Sequence, residues 1–190
     1  TAQTDLFFGY QAKFFGWPDL YTPFDVHETE NLQTNLLMLN HRQNLGGGDF
    51  FEVGAFYRRN KDDYEYSREH PGLYNPYQHV TWARAVAASG RQGLSFCDVE
   101  YSAEVLSDEL RSTSLVYGRP FSSRTYYKAG VITEKNWELS DGRRFEVRAG
   151  ATFDATNRDA SALSPQVEFG LTGADGEGRA YLSYAKTTQV

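Results

Sequence analysis

Arg144-Phe-Glu-Val-Arg-Ala-Gly-Ala-Thr-Phe-Asp154 alternates with a period of two. Phe145, Val147, Ala149, Ala151 and Phe153 fall on one face; Glu146, Arg148, Gly150, Thr152 and Asp154 fall on the other. A helix would scatter both sets around its axis, whereas successive side chains of a strand leave opposite faces of a sheet. The apolar face has aromatics at its ends and small residues between them. The polar face carries both signs of charge. A strand with lipid on one side and a wet lumen on the other needs this division. A soluble sandwich strand has a similar pattern, so the decision rests on whether the chain repeats it.

Working outward, the pattern recurs in about nine strands. The first, near 5–15, places Leu6, Phe8, Tyr10, Ala12 and Phe14 together, with Phe7 out of pattern. In the second, near 30–42, Leu32, Thr34, Leu36 and Met38 form the apolar face, which leaves Leu37 and Leu39 on the wrong side. The third, near 51–61, sets Phe51, Val53, Ala55 and Tyr57 against Glu52, Gly54 and Arg58. The fourth, near 79–89, is rich in small residues, and Arg84 shares a face with Trp82. In the fifth, Cys97, Val99, Tyr101, Ala103 and Val105 oppose Asp98, Glu100, Ser102 and Glu104. The sixth, near 124–139, aligns Tyr127, Ala129, Val131, Trp137 and Leu139, with Lys135 among them as a misfit that a β-bulge would correct. The seventh is the stretch quoted first. The eighth carries Val167, Phe169 and Leu171, and the ninth, from Arg179, carries Ala180, Leu182 and Tyr184.

The connections predicted between these strands alternate in length. Those at 17–27, 60–78, 107–123 and 157–164 are longer and carry Pro, Tyr, Arg and Asp. Those at 45–49, 90–93, 140–143 and 173–178 are short and rich in glycine. Short periplasmic turns and longer outer loops are the pattern of an up-and-down outer-membrane barrel. Strands of about 10 residues match a tilted crossing of the hydrocarbon.

Composition narrows the field. The chain has 190 residues, 15% aromatics and a mean hydropathy of -0.59. No run of about 18 apolar residues is present, so no helical span is expected. A low mean hydropathy is compatible with a barrel, where alternation hides the apolar half. The net charge of -6 argues against a nucleic-acid partner, since phosphate contacts want a basic surface. Cys97 is the single cysteine, so no internal disulfide framework is expected and the residue reads as a small hydrophobe. An odd strand count suits a whole bacterial barrel poorly. The ninth strand also stops at Thr187-Thr-Gln-Val190, and an unpaired backbone edge in lipid costs several kcal/mol per group. The chain opens with Thr1, as a processed or excised piece would. A piece of a larger barrel is therefore expected.

Four segments fall in an order that resembles the TonB-dependent outer-membrane receptors: Trp137-Glu-Leu-Ser-Asp-Gly142, Val147-Arg-Ala-Gly150, Ser161-Ala-Leu-Ser-Pro165 and Tyr181-Leu-Ser-Tyr-Ala-Lys186. The likeness is clearest over 126–190. Ala151 and Thr152 stand where the family has a bulky and a basic residue, Gln166 replaces a basic residue, and Thr187-Thr188 replaces Gly-aromatic. The resemblance implies that residues 1–190 are part of a 22-strand, antiparallel, up-and-down transmembrane β-barrel, lacking its N-terminal plug and C-terminal closing strands. It implies a bacterial outer-membrane protein that takes up a scarce ligand such as a ferric siderophore or cobalamin. Its partners would be outer-membrane lipid, its own plug, a TonB complex acting through that plug, and the small-molecule ligand.

Catalytic and metal signatures are weak. His27, His41, His70 and His79 form no His-x-x-x-His or Glu-x-x-His pair. There is no Gly-x-Ser-x-Gly elbow, and Gly173-x-x-Gly176-x-Gly178 has the wrong spacing for a dinucleotide loop. Asp154-x-x-Asn157-x-Asp159 lacks the glycine and distal glutamate of a calcium loop and reads as a solvated connection. Glu52, Asp98, Glu100, Glu104 and Glu146, with Arg58 and Arg148, read as a polar lumen wall rather than acid–base pairs. No enzyme activity, cofactor or metal is expected. The candidate ligand contacts are aromatics of the long connections: Trp17, Tyr21, Tyr64, Tyr66, Tyr74, Tyr77 and Tyr117. An interfacial aromatic belt is the plainer role for the same residues. The competing expectations for the whole chain are a passive porin-type channel and a soluble β-sandwich ligand-binding domain.

Overall fold

A computed structural model describes residues 1–18, 27–73, 77–115 and 121–187, and at Trp17, Pro18 and Phe121 the backbone alone. Nine strands form: β1 (Ala2–Pro18), β2 (His27–Gly46), β3 (Asp49–Glu65), β4 (Tyr77–Gly93), β5 (Asp98–Ser112), β6 (Phe121–Glu138), β7 (Arg144–Thr156), β8 (Ala162–Thr172) and β9 (Arg179–Ala185). They lie in sequence order in one antiparallel sheet. Alternating segments joined by tight turns pair most readily with their chain neighbours, which gives this meander. Among the described residues, the outer edges of β1 and β9 have no strand partner.

The tightest turn follows β2. Gly46, Gly47 and Gly48 have φ of 100, 63 and 90°, a run that residues with a Cβ do not sustain. At 139–143, the Gly142 N–H donates to the Leu139 carbonyl at 3.0 Å, and Gly142 has φ 82°. At 173–178, the Gly173 N–H donates to the Gly178 carbonyl at 2.7 Å.

Several expectations change. The turn expected at 90–93 lies at Leu94–Cys97, where the Leu94 N–H donates to the Cys97 carbonyl at 2.8 Å. Gly90 is a strand residue directly opposite Tyr101, and a Cβ on it would lie 2.5 Å from the Tyr101 hydroxyl oxygen and 2.7 Å from the Phe50 carbonyl oxygen. The glycine marks an aromatic lying across the strand, not a turn. Cys97 consequently sits in the turn. In β2 the parity is reversed: Leu37 and Leu39 face the apolar side with Tyr57 and Ala55, and Leu32, Leu36 and Met38 face the polar side. No bulge corrects Lys135, which stays on the apolar face opposite Val147. The long–short alternation holds as far as β7. It lapses at 157–161 because Ala162–Ser164 belong to β8.

Residues directly opposite across an antiparallel ladder share a face, so the register defines both sides. One side carries rows such as Leu6–Leu39–Ala55–Val86–Val105–Tyr127 and Val53–Ala88–Ala103–Ala129–Phe153–Leu163. Toward the last strands it continues as Trp137–Phe145–Leu171–Ala180. The other side carries Asp5–Asn40–Gly54–Ala87–Glu104–Lys128–Asp154 and Asp98–Glu134–Arg148–Glu168–Ser183. Aromatics border the apolar band on both margins: Phe14, Tyr57, Tyr127 and Phe153 on one, Phe51, Tyr101, Trp137 and Phe169 on the other. The band crosses the rows obliquely. The row Tyr10–Asn35–Arg59–Trp82 starts inside it at β1 and has left it at β2, so the strands are inclined to the band, as closure of a barrel requires.

This sheet has no core of its own. Ala83 is the single buried hydrophobic residue among those described, while Phe8, Val86 and Leu182 are 68%, 59% and 72% exposed. The accessible surface is 13086 Å²; a compact monomer of this mass exposes about 9,200 Å².

Candidate ligand-binding rim

β1 to β6 contain 15 to 20 residues each, more than the roughly 9–11 that cross a bilayer. The surplus lies beyond the apolar band, at the end of the sheet with the longer connections. There the polar face holds two rows, Phe15–Glu30–Tyr64–Tyr77 and Lys13–Leu32–Asp62–His79–Ser112. Trp17 and Glu28 pair in register just past them.

Of the seven aromatics singled out from the sequence, the structure brings two together here. Tyr64 and Tyr77 are directly opposite, with ring centroids 5.9 Å apart and planes at 39°. Tyr66 lies just past β3, which ends at Glu65. The backbone of Trp17 lies at the same margin of β1. Tyr21, Tyr74 and Tyr117 lie outside the described residues.

The carboxylates beside these rings were not singled out from the sequence. Glu28 is 0% exposed, and neither of its carboxylate oxygens has a hydrogen-bond partner. Asn60 Oδ1 and Asp62 Oδ1 are also buried without partners. Asp62 lies beyond Tyr57, the last apolar residue of β3 on the opposite face. Burial, and then the Glu30 carboxylate beside it, hold the Asp62 carboxyl above its usual range, against a smaller opposing pull from His79. His79 Nδ1 lies 2.6 Å from Ser112 Oγ. A signal did exist: Glu28-x-Glu30 and Asn60-x-Asp62-x-Tyr64 alternate with period two. It is masked because those residues sit outside the apolar stretch: Glu28 and Glu30 fall at or before the start expected for the second strand, and 60–64 fall in an expected connection.

The backbone after β3 folds back against this corner. The Arg68 N–H donates to the His27 carbonyl at 2.9 Å, the Gly72 N–H to a Glu65 carboxylate oxygen at 3.0 Å, and the His70 N–H to Ser67 Oγ at 3.3 Å. Glu69 pairs with His27, which holds its carboxyl below the usual range.

Lower on the polar face, acids and bases interleave. Arg42 reaches Glu52 at 3.1 Å, Arg91 reaches Asp98 at 3.0 Å, and Arg148 reaches Glu134 at 3.4 Å and Glu100 at 3.7 Å. Arg179 reaches Glu168 at 3.2 Å and Glu146 at 3.5 Å. Each exposed pair is worth at most about 1 kcal/mol. Their effect is to neutralise the wall: of the carboxylates expected to line it, Glu52, Asp98, Glu100 and Glu146 have arginine partners, and Glu104 lies directly across the ladder from Lys128. The 154–159 segment is used for local bonding: Asn157 Oδ1 accepts the Thr125 N–H at 2.9 Å, and Asp159 Oδ2 accepts the Thr156 hydroxyl at 2.9 Å. Among the described residues, no group of three or more His, Cys, Asp or Glu is placed to hold a metal ion.

The fold is an all-β, antiparallel, up-and-down sheet with one apolar and one polar face. The sequence matches no protein-family model and no curated protein. Among solved structures the chain is similar to the β-domain of the Bordetella autotransporter BrkA, at 14% identity over 97% of this chain and 84% of that one, with a TM-score of 0.34. It is also similar to the translocator domain of the autotransporter NalP from Neisseria meningitidis, at 15% identity over 84% of this chain and 62% of that one, with a TM-score of 0.36. A third similar structure is the siderophore receptor PiuA from Acinetobacter baumannii, at 13% identity, 90% and 33% coverage and a TM-score of 0.44. All three are outer-membrane β-barrels.

Proposed function

We propose that this chain is a wall segment of an outer-membrane barrel that takes up a scarce ligand, energised by a TonB complex through a plug, and that it is not an enzyme. The observation that carries the reading is the division of one continuous sheet into an exposed apolar face with aromatic margins and an ion-paired polar face. Lipid is the solvent that suits the first, and a wet lumen suits the second. A sandwich would lay a second sheet about 10 Å from the apolar face, and none of the described residues does so. The polar extension with its aromatic and acidic rim supplies a place for a ligand to be met before it enters. A barrel of 22 strands would be wide enough to need a plug, and it would pair the outer edges of β1 and β9, which have no strand partner among the described residues.

Spin labels at Val99 and Val147 in reconstituted vesicles test the membrane reading. Relaxation dominated by oxygen at both sites is expected. Access to polar relaxants, or burial from both reagents, would sink it. Uptake is tested separately: ligand accumulation is expected to stop when TonB is deleted, whereas conductance that persists without TonB would mean a passive pore.

A further inference from the structure

We propose that the rim binds its ligand through a positively charged organic group, an ammonium or guanidinium, held by Glu28, Glu30 and Asp62 beside Tyr64 and Tyr77. This deepens the uptake reading and rests on it for the direction from which ligand arrives. The three carboxylates lie on one face of adjacent strands, at consecutive same-face positions of β2 and across the ladder on β3. Acids so arranged repel one another, and Glu30 adds to the burial that holds the Asp62 carboxyl above its usual range. Independently, Glu28 is fully buried with both oxygens unpartnered. A buried carboxylate without a partner is retained at a cost, and a cation that bonds to it relieves that cost.

Two residues with basic side chains share this part of the face: Lys13, exposed, lies across Leu32 from Asp62, and His79 lies directly opposite Asp62. On the rest of the wall Glu52, Asp98, Glu134 and Glu168 each have an arginine within 3.4 Å, whereas both Glu28 oxygens are without a hydrogen-bond partner. A metal ion fits poorly, since no three-donor group is set for one among the described residues. An organic cation needs no such shell. It takes hydrogen bonds from carboxylates and attraction from aromatic faces, and the Tyr64–Tyr77 pair, 5.9 Å between centroids, borders the acids. An anionic ligand would meet an opposing field at this place.

The test uses the full-length protein in detergent, with agmatine as probe because it carries both cationic groups. Saturable binding is expected by calorimetry, with citrate giving none. Glu28→Gln and Glu30→Gln should each weaken agmatine by about ten- to a hundredfold, the loss of one charge-assisted hydrogen bond. Tyr77→Ala should weaken it several-fold, and Arg179→Ala, on the distant wall, should leave it unchanged. Two conservative carboxylate variants guard against one failing to fold. Absence of agmatine binding, wild-type affinity in both Gln variants, or calcium binding with the same carboxylate dependence would overturn the proposal. Spin labels at Val99 and Val147 in the same preparation separate the two readings: lipid-exposed labels without agmatine binding remove the site and leave the barrel.

Discussion

At Gly150 the sheet leaves no room for a side chain. A Cβ there would stand 2.2 Å from the Val131 carbonyl oxygen, backbone that cannot swing aside. Gly150→Ala is therefore expected to cost about 1–3 kcal/mol, the range for overpacking, and to lower the temperature at which the folded band disappears on unboiled gels. Gly178→Ala, with nothing within 4 Å, should leave that temperature unchanged. Asp62 gives a second prediction, in pH. Its folded pKa is raised by burial, and then by Glu30, so the folded state holds a proton that the unfolded chain gives up from 3.8 upward. Its contribution is fully present below 3.8 and is lost as pH rises through the folded value. The charged groups that act on it are Glu30 and His79 on its own face and Asp63 beside it on the other. Melting curves of the wild type and Asp62→Asn should diverge across that window, with the variant lacking the part of the decline that Asp62 causes. Parallel curves would mean that the proton is not held there.

At the scale of the strand, alternation was legible wherever the apolar band runs. β7 and β3 have the faces their sequences announce, because one side belongs to a continuous apolar band and a single slip would move every charge into it. The band also explains what was misread. β2 passes through it over a short length, so Leu37 and Leu39 are outnumbered by apolar residues on the other side, where Met38 lies opposite both Phe7 and Phe56. That internal apolar row is also where Phe7, out of pattern in the sequence, belongs. Gly90 was read as punctuation because a glycine covered by a tyrosine is indistinguishable in one dimension from a glycine in a turn. Lys135 needs no bulge since it lies toward the 139–143 turn, where in a bilayer its stem would lie along the apolar face and its ammonium would reach the interface. Depth then sorts substitutions. Ala103→Arg, mid-band, should destabilise the folded protein in vesicles by about 2–4 kcal/mol, and Lys135→Glu by about 1 or less. Urea titration reads both, and equal losses would place the band elsewhere. The rim was only half legible. Its tyrosines stood out by type, whereas Glu28, Glu30 and Asp62 acquire meaning through the pairing of β2 with β3.

Across the whole molecule, stability comes from ladders rather than from a core. Each strand depends on its two neighbours, so β1 and β9, with one neighbour each among the described residues, are the least secured. Hydrogen exchange should show the amides of β1 and β9 opening first when residues 1–190 are prepared alone. In the full-length product both should be as slow as β4, because further strands would cover those edges. Fast exchange at both edges in the full-length protein would contradict a larger barrel.

The strands of β2 and β3 continue unbroken from the apolar band into the rim. Under the proposed function, the residues that would hold the protein in lipid and those that would meet a ligand are therefore parts of the same rigid rods. A molecule captured there would be greeted by side chains already fixed in place, with little ordering left to oppose its arrival. Anchorage and choice of cargo would also be separated along the rods' length and by the parity of their residues. Substitutions at Glu28, Glu30, Asp62 or Tyr64 would then change the cargo without disturbing the hold on lipid, and substitutions in the apolar band would suit a different membrane without altering the diet.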